Sequence, residues 1–341
     1  MSSCYHPLRA IRTFNVENIN TGDKVPKAKI TVLKGQYNPD NIPVNMPPNS
    51  EYISLPCGKC IGCRLQYSRE WADRCMLEAT YHKDNWFLTL TYDDEHLPKC
   101  KEGSTIHPLV KRDVQLFMKR LRKYTGQKIR FFACGEYSPS DRPHYHIILF
   151  GLHLDDLKIQ KKDPKNGFVY YTSDVISRCW YPEEDSGMRP EQRSCNGFHL
   201  LSSVSWDTCA YTARYVMKKQ KGAGARKYEE DNYTPEFTLM SRKPGIAARF
   251  YEDNNDIVIK PHYIPTENGA KLVKSNRYFD KLFDIDYPND LVCIKEDRKK
   301  QQLKNDFFKS ELTSLSYADR LRSEEITKAA QISSLKRKEV K

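Results

Sequence analysis

The chain has 341 residues, with 56 Lys and Arg against 44 Asp and Glu, a net charge of +12 and a pI near 9.0. Its 39% hydrophobic content counts 21 tyrosines, which leaves it more polar than ordinary globular domains, although long enough to bury a core. No stretch reaches the roughly 18 apolar residues of a membrane span, and Met1-Ser2-Ser3-Cys4-Tyr5-His6-Pro7-Leu8 lacks the apolar core of a secretion signal, so neither a membrane protein nor a secreted one is expected.

The first 55 residues are rich in Pro, Asn and short polar side chains and read as loops, with one strand at Ala28–Leu33. A cysteine-rich start at 57–63 leads into a helix from Arg64 to Tyr81, with Leu65, Ala72, Met76 and Ala79 near one face. Trp86 to Tyr92, aromatic and β-branched, predicts a strand. Val114, Phe117, Met118 and Leu121 recur at i, i+3, i+4 and i+7, so 111–124 predicts an amphipathic helix with Lys119, Arg120, Arg122 and Lys123 on its outer face. Ile129–Gly135 and Tyr145–Gly151 read as two strands joined by Ser138-Pro139-Ser140-Asp141-Arg142-Pro143, a hairpin or short meander. Residues 152–198 are charged and turn-rich and look like an insertion. A second helix is predicted from Trp206 to Lys219. Beyond 285 the chain is highly charged, with a thin apolar stripe, and reads as a peripheral helical tail. The expected fold is α+β, a central antiparallel sheet flanked by helices over residues 56–285.

Between 99 and 130 there are ten basic side chains against two acidic ones. Charge of that density is either a solvated helix face or the footprint of a polyanion such as nucleic acid. Arg64, Arg69 and Arg74 on the first helix are further candidates for phosphate contact, as is Lys219.

His144-Tyr145-His146 places two imidazoles on one face of a strand, because residues two apart point the same way. Two such histidines can hold one divalent cation, or they can simply decorate a surface. Glu136 ends the preceding strand and is either a solvated hairpin carboxylate or a third ligand. Two imidazoles, a carboxylate and open positions suit Mg2+ or Mn2+ acting as a Lewis acid on phosphate. Tyr211 and Tyr215 are i and i+4 on the second helix, with Lys218 continuing that face. Two aromatics at that spacing serve a core, or they serve as nucleophiles beside a polarised phosphate.

The 11 cysteines are odd in number, which argues for a reducing cytosol over a disulfide scaffold. Cys57, Cys60 and Cys63 crowd three thiols into seven residues. They are either free thiols or a structural Zn2+ site, with Cys75 as the candidate fourth ligand.

Taken in order, these motifs resemble the HUH endonucleases. Phe87-Leu88-Thr89-Leu90-Thr91-Tyr92 is similar to their first motif, His144-Tyr145-His146 followed by Ile147-Ile148-Leu149-Phe150-Gly151 to their metal motif, and Tyr211-x-x-x-Tyr215-x-x-Lys218-Lys219 to their paired-tyrosine motif. The nearer likeness is to replication initiation proteins of microviruses of the gokushovirus type. It rests also on Cys4-Tyr5-His6-Pro7-Leu8, Pro56-Cys57-Gly58-Lys59-Cys60-Ile61-Gly62-Cys63-Arg64, Gly135-Glu136-Tyr137 and Met240-Ser241-Arg242-Lys243-Pro244-Gly245, and covers roughly residues 4–280. The resemblance implies a metal-dependent nicking and joining enzyme for rolling-circle replication, working through a 5′-phosphotyrosine. Tyr211 and Tyr215 would be its nucleophiles, Lys218 an electrostatic helper, and His144, His146 and Glu136 its metal ligands. Its partners would be single-stranded and replicative-form phage DNA at the origin and the host helicase and polymerase, in the cytoplasm of a bacterial host. The competing reading from the residues is a non-catalytic binder of single-stranded nucleic acid that uses basic helices and tyrosine platforms. A zinc-dependent hydrolase built on His144 and His146 is a third.

Overall fold

The computed structural model describes residues 4–14, 28–164, 167–214, 228, 233–266 and 269–334. The chain divides into two compact units, Met1–Tyr67 with Asn276–Lys341, and Ser68–Ser275.

The first unit contains an antiparallel sheet in the order β2-β1-β3, formed by β1 (Leu8–Thr13), β2 (Lys29–Gln36) and β3 (Ser50–Leu55). Only β2 overlaps the strand expected in this region. β1 and β3 were not legible because each is six residues long and mostly polar, and each finds its partner more than 15 residues away.

The second unit is built on seven antiparallel strands, and its first elements are α1 (Ile61–Ala79, which begins in the first unit), β4 (Asn85–Thr91), α2 (Lys111–Thr125), β5 (Arg130–Tyr137) and β6 (Pro143–Phe150). β7 (Lys158–Lys162), β8 (Val169–Thr172), α3 (Asp174–Cys179), β9 (His199–Ser203), α4 (Trp206–Arg214) and β10 (Phe237–Met240) follow. The strands lie in the order β10-β5-β6-β4-β9-β8-β7, so β4 and β6 run through the middle. The expected α+β class, a central antiparallel sheet with flanking helices, is the one observed.

The period of two along β6 divides the core between the faces of the sheet. Tyr145, Ile147 and Leu149 join Leu88 and Leu90 of β4 beneath α2, whose Val114, Phe117, Met118 and Leu121 are all buried there. Ile148 and Phe150 face the other way with Phe87 and Phe132, covered by Ala72 and Cys75 of α1 and by Cys209, Ala210 and Ala213 of α4. Ser68 Oγ donates to the carbonyl of Ala210 at 3.1 Å, and Trp206 Nε1 to Asp73 Oδ1 at 2.8 Å, which ties α1 to α4. Residues 152–198 supply β7, β8 and α3, and Trp180 is fully buried in the α2-side core, so this segment completes the sheet.

After β10 come α5 (Ala248–Asp253), α6 (Asn255–Val258) and the β11–β12 hairpin (His262–Thr266, Gly269–Val273). The chain ends in α7 (Arg277–Asp286), α8 (Pro288–Glu311) and α9 (Tyr317–Ser334), the helical tail expected from composition. The Asn276 side chain caps α7 by accepting from the N–H of Tyr278 and of Phe279. No helix among the described residues is long and apolar enough to cross a membrane.

Candidate active site

The β5–β6 hairpin brings the predicted ligands together. Its turn is closed by Ser138 N–H donating to the Arg142 carbonyl at 2.9 Å, and it sets Glu136 directly opposite His144 and Cys134 opposite His146. On the other side of β6, Thr91 stands opposite His144 and Thr89 opposite His146. Pro143 opens β6, a strand position that tolerates the missing N–H.

One oxygen of Glu136, Oε1, lies 2.8 Å from Nε2 of His144 and 2.8 Å from Nε2 of His146. Glu136 is 1% exposed. Burial alone would raise its pKa, but hydrogen bonds from His144 and then His146 outweigh this and hold the carboxyl down at about 2. A carboxylate only accepts, so both Nε2 atoms carry their proton when no cation is bound. The far side of each ring is also engaged, since His146 Nδ1 is 3.0 Å from Thr89 Oγ1 and His144 Nδ1 is 3.3 Å from the Arg142 carbonyl. With a cation on Nε2, each Nδ1 becomes the donor to that same oxygen. This is the outer support that ligating histidines normally have.

The three donor atoms lie within 4.8 Å of one another, and two imidazole nitrogens with one carboxylate oxygen make a set that fits a divalent cation. The metal-ligand expectation for Glu136, His144 and His146 therefore coincides with a site of the right chemistry. Tyr145, between the two histidines, points to the opposite face, where its hydroxyl is 2.9 Å from that of Tyr92 and accepts from the N–H of Val110 at 2.9 Å.

Tyr211 reaches the site from α4. Ser205 and Thr208 cap that helix reciprocally, each accepting from the other's backbone N–H, at 3.1 and 2.9 Å. The Tyr211 ring stands edge-on to His146 with centroids 5.1 Å apart, and edge-on to Phe87 at 6.2 Å. Phe87 in turn stacks on His146 at 5.4 Å. Tyr215, Lys218 and Lys219 lie outside the described residues.

A family scan matches the model of the replication-associated protein ORF2 family over residues 85–220, which span β4, the histidines and Tyr211. The chain is 34% identical to the replication-associated protein ORF2 of Spiroplasma virus 4, over 93% of this chain and 94% of that protein. It is 30% identical to the replication-associated protein VP4 of Bdellovibrio phage phiMH2K, over 69% of each chain. The chain belongs to the family of phage replication-associated proteins. A third member, the replication-associated protein ORF4 of Chlamydia phage 1, is 40% identical over 48% of this chain and 38% of that protein. No solved structure gives a significant match.

For this family member, several residues read as phosphate contacts from sequence have structural partners instead. Arg74 is buried, donates from Nε and Nη2 to the Ile246 carbonyl at 3.2 and 2.8 Å, and lies over the Trp71 ring. Arg120 donates to the carbonyls of Tyr181 and Pro182 and to Ser186 Oγ, while Arg122 donates to the Ile129 carbonyl at 2.9 and 2.7 Å. Lys119 and Lys123 are exposed on α2, but that helix covers the face opposite the histidines. Arg64 and Arg69 are exposed on α1.

Cys57, Cys60 and Cys63 do converge, and the residue beside them is Cys4, not Cys75. Twelve residues along α1 from Cys63 is roughly 18 Å of helix, and Cys75 is buried there in the core with Cys209. Sequence reasoning also missed Thr89, although the alternation that pairs His144 with His146 would have put Phe87, Thr89 and Thr91 on a single face.

Phe198 was missed as well. Leu90 stands opposite His199, so continuing that register by one residue sets Phe198 opposite Thr91, and Thr91 N–H donates to its carbonyl at 2.9 Å. The approach depends on Gly197, at φ 145°, where a Cβ would meet Asp93 N at 2.4 Å. Phe198 itself is 71% exposed.

Proposed function

We propose that this protein initiates rolling-circle replication of a small single-stranded DNA phage by nicking and rejoining DNA at the origin, in the cytoplasm of its bacterial host. The observation that carries this reading is the convergence of Glu136, His144 and His146 with the Tyr211 ring 5.1 Å from His146. A hydrolase that activates water has no use for a phenol there. Membership in a family of phage replication-associated proteins supports the same reading.

In this mechanism the Tyr211 phenol loses its proton and its oxygen attacks the scissile phosphorus. The phosphorus–O3′ bond breaks, and the departing O3′ takes up a proton. The products are a 5′-phosphotyrosine and a free 3′-OH for a host polymerase, with strand opening by a host helicase. Tyr215 repeats the cut on the regenerated origin, and the released 3′-OH then attacks the first phosphotyrosine to close a circle. Each step exchanges one phosphoester for another, so no nucleotide is consumed. Glu136, His144 and His146 would hold Mg2+ or Mn2+, which supplies Lewis-acid polarisation of the phosphate and stabilises its developing charge. Thr89 and the Arg142 carbonyl orient the imidazoles, and Lys218 offsets phosphate charge.

The test is incubation with labelled single-stranded DNA from the cognate genome, with Mn2+ or with EDTA, followed by denaturing electrophoresis. A labelled, EDTA-sensitive protein band that disappears in the Tyr211→Phe/Tyr215→Phe double variant is the expected result. Salt-dependent binding with no adduct across origin-containing substrates would replace the enzyme with a binding protein, and free 5′-phosphate ends would replace it with a hydrolase.

A further inference from the structure

The first unit has little apolar core of its own at the start of the chain. β2 is exposed along nearly its whole length and β3 is only half-buried. The buried cluster there consists of Cys4, Tyr5 and Cys60, packed against Cys57, Ile61 and Cys63. Four of these six residues are cysteines, and small units with thin cores are commonly held by a metal or by disulfides.

The four thiols come from two distant stretches, Cys4 just before β1 and the others at the entry to α1. Their sulfurs all lie within 4.8 Å of one another, with Cys4 and Cys60 at 3.9 Å. A tetrahedron of Zn–S bonds of about 2.3 Å has edges of about 3.8 Å, so this spacing is close to that of a four-thiolate zinc site.

The backbone is arranged to match. Cys57 Sγ accepts from the N–H of Lys59 at 3.4 Å and of Cys60 at 3.3 Å. Cys60 Sγ accepts from Tyr5 at 3.4 Å and Cys63 at 3.5 Å, and Cys4 Sγ from Cys57 at 3.2 Å. Gly58, at φ 69°, makes the turn that aims two amides at one sulfur. Five amides on three sulfurs is an environment for thiolates, and buried thiolates need a cation. Disulfides, which join sulfurs in pairs at about 2.05 Å, require neither the shared centre nor the amides.

We propose that Cys4, Cys57, Cys60 and Cys63 bind one Zn2+ as thiolates in a closed structural site that fastens the segment before β1 to the start of α1. All four positions are taken by sulfur, so the ion has no open place for substrate. The site is separate from Glu136, His144 and His146 and stands whether or not the nicking mechanism does.

The full chain, purified anaerobically without added metal and dialysed against a weak chelator, is expected to retain about one zinc per chain by elemental analysis. Zinc should persist in a His144→Ala/His146→Ala variant and in Cys75→Ala, and be lost in Cys4→Ser and Cys60→Ser. Because loss of zinc can also follow from failure of those two serine variants to fold, the second measurement uses the wild-type chain. Exchange with Co2+ should give an intense thiolate-to-cobalt charge-transfer band with the visible bands of a tetrahedral four-sulfur site. A chain with less than about a tenth of an equivalent of zinc and no cobalt–thiolate band would overturn the proposal. So would zinc that leaves with the histidine variant, or with a Cys75→Ala variant whose circular dichroism is native.

Discussion

Thr89 Oγ1 stands 3.0 Å from Nδ1 of His146, directly across the β4–β6 strand pair. The hydroxyl donates to Nδ1 when Nε2 carries the proton and accepts from it when Nε2 holds a cation, so it serves both tautomers. Thr89→Val keeps the β-branched shape and removes this partner. We expect the Mn2+ concentration needed for half-maximal binding to rise at least about tenfold, measured by titration against the free-ion electron paramagnetic resonance signal. Thr89→Ser should restore it. An unchanged Mn2+ titration in a folded Thr89→Val protein would remove Thr89 from the site.

Phe198 extends the cross-strand row Glu136–His144–Thr91 and exposes 71% of its surface. An exposed ring at the end of a metal-binding row is placed to stack on a base. If it does, Phe198→Ala should weaken binding of a short single-stranded oligonucleotide by roughly five- to 150-fold, the 1–3 kcal/mol of one base–aromatic stack. Phe198→Trp should retain the affinity. Fluorescence anisotropy at fixed salt decides the matter, and equal affinity for the alanine variant would refute the stacking role.

On the other face of β6, Tyr145 is fully buried and its hydroxyl accepts the Val110 N–H at the start of α2. Tyr145→Phe leaves that buried donor without its partner at nearly constant volume. The expected loss is about 1–3 kcal/mol of stability, read from urea unfolding, with Mn2+ binding unchanged because the metal ligands face away.

Glu78 supplies the pH prediction. Burial would raise its pKa, but the hydrogen bond with His82, the Ala247 N–H and the Arg130 guanidinium together lower it below the usual 4.5. A carboxyl depressed in the folded state contributes stability that is complete above its unfolded value. That contribution is lost as pH falls from about 4.5 through the lower folded value. Glu78→Gln should therefore be less stable than wild type near neutral pH, and the gap should narrow as pH drops below about 4. A gap that stays constant from neutral to acid pH would show that Glu78 contributes no titrating stability.

What was legible in the sequence was local. The spacing His144-x-His146 and the 3.6-residue apolar period of α2 specify their own faces, because a strand or a helix repeats over a few residues whatever surrounds it. The hairpin turn between β5 and β6 is also local, and it alone places Glu136 opposite His144. The order of motifs along the chain was enough to point to the family.

Long-range approach was not legible. Cys4 displaces Cys75 as the fourth thiol because β1 pairs with β3 and so returns the N-terminal segment to the entry of α1. Arg74, Arg120 and Arg122 look like phosphate contacts in a charge count, but each meets a backbone carbonyl brought from another element or turn. Lys119 and Lys123 belong to the helix on the far side of the sheet, and Phe198 joins the site only through the pairing of its segment with the end of β4. Residue type and spacing set which groups share a face within one element. Which faces meet is set by burial and pairing between segments tens of residues apart, where no short period leaves a trace.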